Sequence, residues 1–183
     1  NIDRDLAYRR WASEQGGFYV IPSEKTPPNP HLKVANRDVV TMEGIKLTLV
    51  NPAYMTRQVH ESASQLYGIK GHLTSLKPIR PENKPDKWEE TALMEIERGS
   101  KEVSVPAVEI EGKMYLRQMR GLVAEKSCLK CHASQGYSEG NIRGGISVAV
   151  PLDGYYAIYA ADRNGTLLRY TTIWIIGICG ILT

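Results

Sequence analysis

Residues 128–152 read CLKCHASQGYSEGNIRGGISVAVPL, and this stretch decides both the fold and the chemistry of the chain. It begins with two cysteines that are separated by two residues and followed directly by a histidine. It ends with IRGGISVAVPL (142–152), a run rich in β-branched and small apolar residues that predicts a strand. The sequence therefore predicts a reactive segment beside a strand of a β-sheet.

Cys128, Cys131 and His132 form a C-x-x-C-H motif, the attachment signal of a c-type haem. Thiols at this spacing reach the vinyl groups along one edge of a porphyrin, and the adjacent imidazole faces the iron. By chance the string arises on the order of once in a thousand chains of this size. The alternatives are a redox C-x-x-C with an incidental histidine and half of a zinc site. The remaining cysteine, Cys179, lies in an apolar tail, which counts against zinc. The motif predicts one covalently attached haem c.

Length and composition describe one ordinary globular domain. The chain has 183 residues, of which 42% are hydrophobic and 23% charged, values typical of folded proteins. Its formal net charge of +3 is too small to indicate a nucleic-acid surface. Three cysteines are too few for a disulfide scaffold. We therefore expect a hydrophobic core that is stable without disulfide cross-links. We also expect that the protein has no nucleic-acid partner.

Outward from the motif, hydrophobic periodicity and turn residues predict an α+β fold. Asn51-Pro52 is a typical N-cap and first helical residue, and Glu111-Gly112 is a typical hairpin turn. The predicted elements are helices over 3–15, 52–68, 86–99 and 153–170, strands over 17–22, 46–50 and 142–152, and a hairpin over 102–119.

The last thirteen residues, TTIWIIGICGILT (171–183), carry no charge. They are too few to cross a bilayer, which needs about 20 apolar residues, so they predict the truncated start of a transmembrane helix. A buried C-terminal helix is the alternative. Covalent haem attachment takes place outside the cytoplasmic membrane. We therefore expect residues 1–170 to form a haem domain on the periplasmic side of the bacterial inner membrane, anchored by 171–183.

The second axial ligand of the iron must precede the motif, because no Met or His follows His132. Met55 is the first candidate, since on a helix it shares a stripe with Val59, Ser62 and Leu66 and should face inward. By the same pattern His60 should face water. His72 is the second candidate, and His31, in a proline-rich loop, should be solvated. The metal ligands predicted are therefore His132 with Met55, or alternatively with His72.

Arg80 and Arg143 are the predicted partners of the haem propionates, because a guanidinium binds a carboxylate through parallel hydrogen bonds. Arg57 and Lys77 are further candidates. The alternative for each of them is an ordinary solvated surface residue.

Four blocks in the same order resemble a known family: RRWASEQGGFYV (9–20), LTLVNPAYMTRQ (47–58), HLTSLKPIRPENKPDKWE (72–89) and the 128–152 stretch. The chain resembles the single-haem, c-type, PAS-like periplasmic sensor domains of bacterial membrane-bound histidine kinases, diguanylate cyclases and chemoreceptors. The resemblance implies an antiparallel sheet with flanking helices, haem held against the sheet, and a C-terminal helix leading into the membrane. It also implies thioethers at Cys128 and Cys131 and His132 as proximal ligand. Some members use a distal cysteine, but no cysteine precedes Cys128 here.

Two functions follow from these expectations. The first is a sensor of redox state or of a small gas, which passes its signal through the membrane and is a homodimer if it belongs to a receptor. The second is a membrane-anchored monohaem cytochrome c that exchanges electrons with a redox partner. We expect no enzyme, because neither a nucleophile–base pair nor a Gly-rich phosphate loop is recognisable.

Overall fold

The computed structural model describes residues 2–182, with side chains up to residue 179. The helices and strands of this part are α1 (Ile2–Glu14), β1 (Phe18–Val20), β2 (Asp38–Val40), β3 (Lys46–Val50), α2 (Pro52–Tyr67), β4 (Lys70–Thr74), α3 (Lys87–Glu97), β5 (Glu102–Ile110), β6 (Lys113–Val123), α4 (Lys126–His132), β7 (Ile142–Pro151) and α5 (Asp153–Leu182). The predicted α+β class is confirmed, and so are the four predicted helices. Sequence reasoning missed β2, β4 and α4.

The strand that follows the cysteine motif lies inside the larger of two antiparallel sheets. The order of this sheet is β4-β7-β6-β5, so β7 pairs with β4 on one side and with β6 on the other. The β5–β6 hairpin turns at Glu111 and Gly112, which have φ angles of 51° and 76°. Positive φ at both positions matches the twist of a two-residue hairpin turn.

Helices cover the two faces of this sheet. On one face, α3 packs Ala92, Leu93 and Ile96 against Met119 of β6. On the other face, Ile2 of α1 packs against Leu122 of the same strand, because residues three apart on a strand point to opposite faces. The sheet therefore has an α3 face and an α1 face.

The smaller sheet has the strand order β1-β3-β2. Its central strand, β3, is followed directly by α2. Asn51 caps this helix as predicted, with its Oδ1 accepting the Tyr54 backbone N–H at 2.9 Å. The predicted inward stripe is wrong, because Val59 and Leu66 are 50% and 70% exposed.

His60, predicted to face water, is instead 7% exposed. It packs on β4 at Gly71, where a Cβ atom would lie 2.3 Å from the His60 ring. Its Nε2 lies 3.5 Å from Oδ2 of Asp5 on α1. The side of α2 that is buried is therefore set by a glycine and a carboxylate that are distant in sequence.

Helix α5 continues the chain directly after β7 and is exposed along nearly its whole length. Among the described residues, none of the helices combines the length and the apolarity needed to cross a membrane. The last residue of the predicted 171–183 segment lies outside the described residues. The membrane segment and the domain boundary at 170 stay predictions.

Candidate functional site

The cysteine motif lies on the short helix α4, which sequence reasoning left without secondary structure. Cys128, Cys131 and His132 stand at positions i, i+3 and i+4, so they share one face of the helix. Two contacts hold the start of α4 against α1. The hydroxyls of Ser127 and Ser13 lie 2.8 Å apart, and Glu125, the residue that precedes α4, pairs with Arg10 of α1 at 3.2 Å. The fold thus fixes the orientation of the motif.

The motif opens onto a cavity on the α1 face of the sheet. Its larger part has a volume of about 780 Å³ and contains Cys128, Cys131 and His132 in its wall. A smaller part of about 400 Å³ adjoins it, and Cys131 and His132 line both. Leu6, Leu32, Val34 and Leu49 supply apolar wall. The larger part falls within the range of about 300–1,000 Å³ that ligand pockets occupy.

His132 is held in the form that binds metals. Its Nδ1 lies 2.7 Å from Oε1 of Gln135, whose Nε2 donates to the Lys77 carbonyl at 3.3 Å. Because Oε1 accepts, Nδ1 carries the proton and the lone pair of Nε2 is left for a ligand. Burial and the positive charge of Arg143 lower the pKa of His132 to about 4. The imidazole is therefore neutral at pH 7.

The cavity wall carries an excess of positive charge. Among the described residues, the carboxylate in this wall is Glu125, which Arg10 neutralises. The cationic side chains of the wall are Arg9, Arg10, Lys33, Arg57, Arg80, Lys130 and Arg143. Such a wall favours an anionic occupant. Haem fits on three counts: paired thiols, a neutral imidazole with a free nitrogen, and cations to meet its propionates.

Comparisons with known proteins give the family of the chain and a similar fold. A family model described as Tll0287-like matches residues 7–151, which span α1 to the end of β7. The chain belongs to the Tll0287-like family. The crystal structure of the cyanobacterial heme-protein Tll0287 is similar at a TM-score of 0.52 and 13% identity, covering 82% of this chain and 89% of that one. At this identity the likeness shows the fold alone. No curated protein matches the chain.

Arg143 and Arg80 are the predicted propionate partners. In this member of the Tll0287-like family they differ in whether the guanidinium group is already engaged by other side chains. Arg143 lines both parts of the cavity, and its Nε is buried without a hydrogen-bond partner. Arg80 lines the smaller part and is already engaged, with Glu82 at 3.3 Å and Asn83 at 3.4 Å. The structure therefore brings Arg143 to the motif with its guanidinium available.

Two weaker candidates are also engaged elsewhere. Arg57 lines the smaller part, but it pairs with Glu61 at 3.6 Å and stacks over the Tyr54 ring at 4.4 Å. Lys77 reaches the site through its backbone carbonyl, which Gln135 contacts.

Met55 is not brought to the cavity. Of the described α2 residues, those in the cavity wall are Pro52, Ala53, Tyr54 and Arg57. Met55 is half-buried outside that wall. Met55 was predicted to face inward because it shares a helical stripe with Val59 and Leu66. Both of these residues are exposed in the structure. The geometry therefore gives no support to Met55 as an iron ligand.

His72 is on the wrong face of the sheet for the motif. It pairs in register with Ser147, which in turn pairs with Met119, so all three point to the α3 face. Its Nδ1 lies 2.8 Å from a carboxylate oxygen of Glu89 and its Nε2 lies 2.9 Å from the Glu82 carbonyl. Both ring nitrogens are occupied, which speaks against His72 as the ligand.

Two residues of the wall were not predicted to be there: His31 was considered and set aside as solvated, and Arg9 was not singled out. His31 is half-buried and lines the smaller part, although its loop was expected to be solvated. In the described wall, His31 supplies the one His, Met or Cys side chain besides those of the motif. Arg9 belongs to the RRWASEQGGFYV block, but nothing in a single helical arginine marks it as a wall residue.

Proposed function

We propose that this chain is a c-type haem domain that senses redox state or a small gas and passes the signal through the membrane. The observation that carries the proposal is the common face of Cys128, Cys131 and His132 on α4, directed to a cavity of about 780 Å³. The similar fold of Tll0287, a cyanobacterial heme-protein, supports this assignment. The proposed location is the periplasmic side of the inner membrane, with residues 171–183 as the anchor.

Each residue of the site has a defined part in holding the group. The thiols of Cys128 and Cys131 would hold the haem covalently, and Nε2 of His132 would be a donor to its iron. Gln135 fixes the tautomer and the orientation of His132. Held by these residues, the haem would supply redox chemistry and a binding position for a small ligand. His31 is the proposed second donor because it alone brings a further imidazole to the described wall.

The proposed signal leaves the site through β7. Arg143 near the start of β7 lines the cavity, and β7 runs to Pro151 with one residue before α5. Leu152 joins these elements: its N–H donates to the Met114 carbonyl at 2.9 Å, and its own carbonyl accepts the Tyr156 N–H at 2.9 Å. A displacement of β7 would therefore be passed to α5, which leads toward the apolar segment.

An electron carrier is the second candidate, and His31 is the observation that favours it. If His132 and His31 both held the group, the chemistry that it would supply is electron transfer without binding of a further ligand. Neither candidate is an enzyme in our proposal.

The assignment is tested by exporting the chain to a bacterial periplasm together with the haem-attachment machinery. After acid–acetone extraction and denaturing electrophoresis, the wild-type band should stain for haem, and Cys128→Ala/Cys131→Ala should lose the stain. Cys179→Ala, which removes the cysteine outside the motif, should keep it. An unstained wild-type band would refute the proposal. Carbon monoxide then tests gas binding: a changed ferrous spectrum supports the gas sensor, whereas an unchanged one refutes gas sensing and is expected both for a redox sensor and for the carrier.

A further inference from the structure

Two arginines from distant parts of the chain meet at the cavity. Arg9 lies on α1 and Arg143 on β7, and both line the larger and the smaller part. Burial and, after it, the positive charge of Arg143 lower the pKa of Arg9 to about 10. The positive charge of Arg143 thus acts on the Arg9 guanidinium.

Neither guanidinium has a carboxylate partner. Arg9 donates to the Thr56 hydroxyl at 3.5 Å. Arg143 lies over the Tyr137 ring at 5.7 Å, and its Nε is buried without a partner. Among the described residues, no acidic side chain comes within salt-bridge distance of either one. Both side chains are half-buried, and a charge that is partly removed from water and has no counter-ion is unfavourable.

The other arginines of the wall do not share this property. Arg10 pairs with Glu125 at 3.2 Å, Arg57 with Glu61 at 3.6 Å, and Arg80 with Glu82 at 3.3 Å. Arginines in this wall are therefore normally neutralised from within the chain. Arg9 and Arg143 depart from that pattern together and at the same place, which indicates that their counter-ion comes from outside the polypeptide.

We propose that Arg9 and Arg143 jointly bind a carboxylate inside the cavity. Planar guanidinium groups match a carboxylate through paired, charge-assisted hydrogen bonds. The carboxylate is either a haem propionate, in which case the inference rests on the proposed function, or a free small carboxylate such as formate or acetate. Both sources have the same chemistry, and the two arms of the test separate them.

The first arm uses the haem-loaded protein and measures midpoint potential against pH. A cation near a carboxyl group lowers its pKa by about 1–3 units. In Arg9→Gln and Arg143→Gln, the pH at which the potential changes should therefore rise by about 1 unit or more, and further in the double variant. Arg4→Gln is the control, because Arg4 is exposed on the same helix and outside the wall. The midpoint potential of Arg4→Gln should depend on pH in the same way as that of the wild type.

The second arm uses haem-free protein and measures the unfolding temperature in formate or acetate against chloride at equal ionic strength. The carboxylates should stabilise the wild type and Arg4→Gln but not Arg143→Gln. Without added carboxylate, Arg143→Gln should be more stable than the wild type, because the substitution removes a charge that has no counter-ion. If Arg143 had only a structural role, the same substitution would lower the unfolding temperature.

The same carboxylate titration on haem-loaded protein identifies the source. No response there, together with a shifted pH profile in the first arm, assigns the site to a propionate, whereas a response assigns it to a free carboxylate. Identical behaviour of wild type, Arg9→Gln and Arg143→Gln in both arms would overturn the proposal. Failure of the wild type to attach haem would refute the proposed function only, because the haem-free arm still tests the pair.

Discussion

Glu89 is a buried carboxylate that ties α3 to the sheet, and Glu89→Gln tests whether His72 belongs to this structural network. The Glu89 side chain is 1% exposed. Its oxygens lie 2.8 and 3.0 Å from Nδ1 of His72 and 2.9 Å from Nη2 of Arg117. One of them also accepts the Asp86 backbone N–H at 3.0 Å, as part of the helix cap. The substitution keeps the shape and removes the charge.

The expected cost follows from this burial. Removing one partner of a buried ion pair destabilises a protein by about 3–5 kcal/mol. Here Arg117 keeps its pairing with Asp86 at 2.6 Å, so we expect the lower end of that range. We expect this loss in the free energy of unfolding from urea titration at neutral pH. Glu90→Gln is the matched control, since Glu90 is the exposed neighbour on the same helix. It should change the free energy by less than about 0.5 kcal/mol.

The stability difference between the wild type and Glu89→Gln should depend on pH in a defined direction. The hydrogen bond with Glu89 raises the pKa of His72 above its ordinary value of about 6.5. The stabilisation is therefore complete below about pH 6.5 and is lost as pH rises through the folded-state pKa. His60, whose pKa burial lowers, acts in the opposite direction, but it contributes equally to both proteins. The difference between wild type and Glu89→Gln should thus shrink at alkaline pH, and a constant or negligible difference would refute the reasoning.

Two further predictions concern the iron and the packing of α2. His31→Ala should change the absorption spectrum of the haem-loaded protein, whereas Met55→Ala and His72→Ala should leave it unchanged, because His31 lies in the cavity wall and the other two residues do not. A spectrum altered by either of the latter two and not by His31→Ala would reverse this ranking. Gly71→Ala should destabilise the fold by about 1–3 kcal/mol in urea titration, since its Cβ would lie 2.3 Å from the His60 ring. A Gly71→Ala variant as stable as the wild type would contradict this prediction, because it would show that α2 can shift away from β4 without loss of stability.

The parts of the fold that were predictable carry their signals locally. Asn51 and Pro52 mark the start of α2 within two residues, and the cap uses the Asn51 side chain as expected. Glu111-Gly112 defines its hairpin turn in the same way. The cysteine motif is also local, because helical spacing alone brings its three side chains to one face.

The parts that were missed depend on contacts between distant segments. The buried side of α2 follows from Gly71 and Asp5, which periodicity within the helix does not reveal. Arg9 joins the site because α1 packs across the sheet, and His31 joins it because an irregular loop forms the wall. Arg143 was predicted from the chemistry of its guanidinium group alone, and its place in the wall follows from its position on β7.

The most direct test of the central claim is the intact mass of the exported chain under denaturing conditions. We expect a mass increased by one haem in the wild type. We expect the unmodified mass in Cys128→Ala/Cys131→Ala, and retention of the group in Arg143→Gln, where the thiols are intact. An unmodified wild-type mass, obtained while a known c-type cytochrome matures in the same cells, would contradict covalent haem attachment.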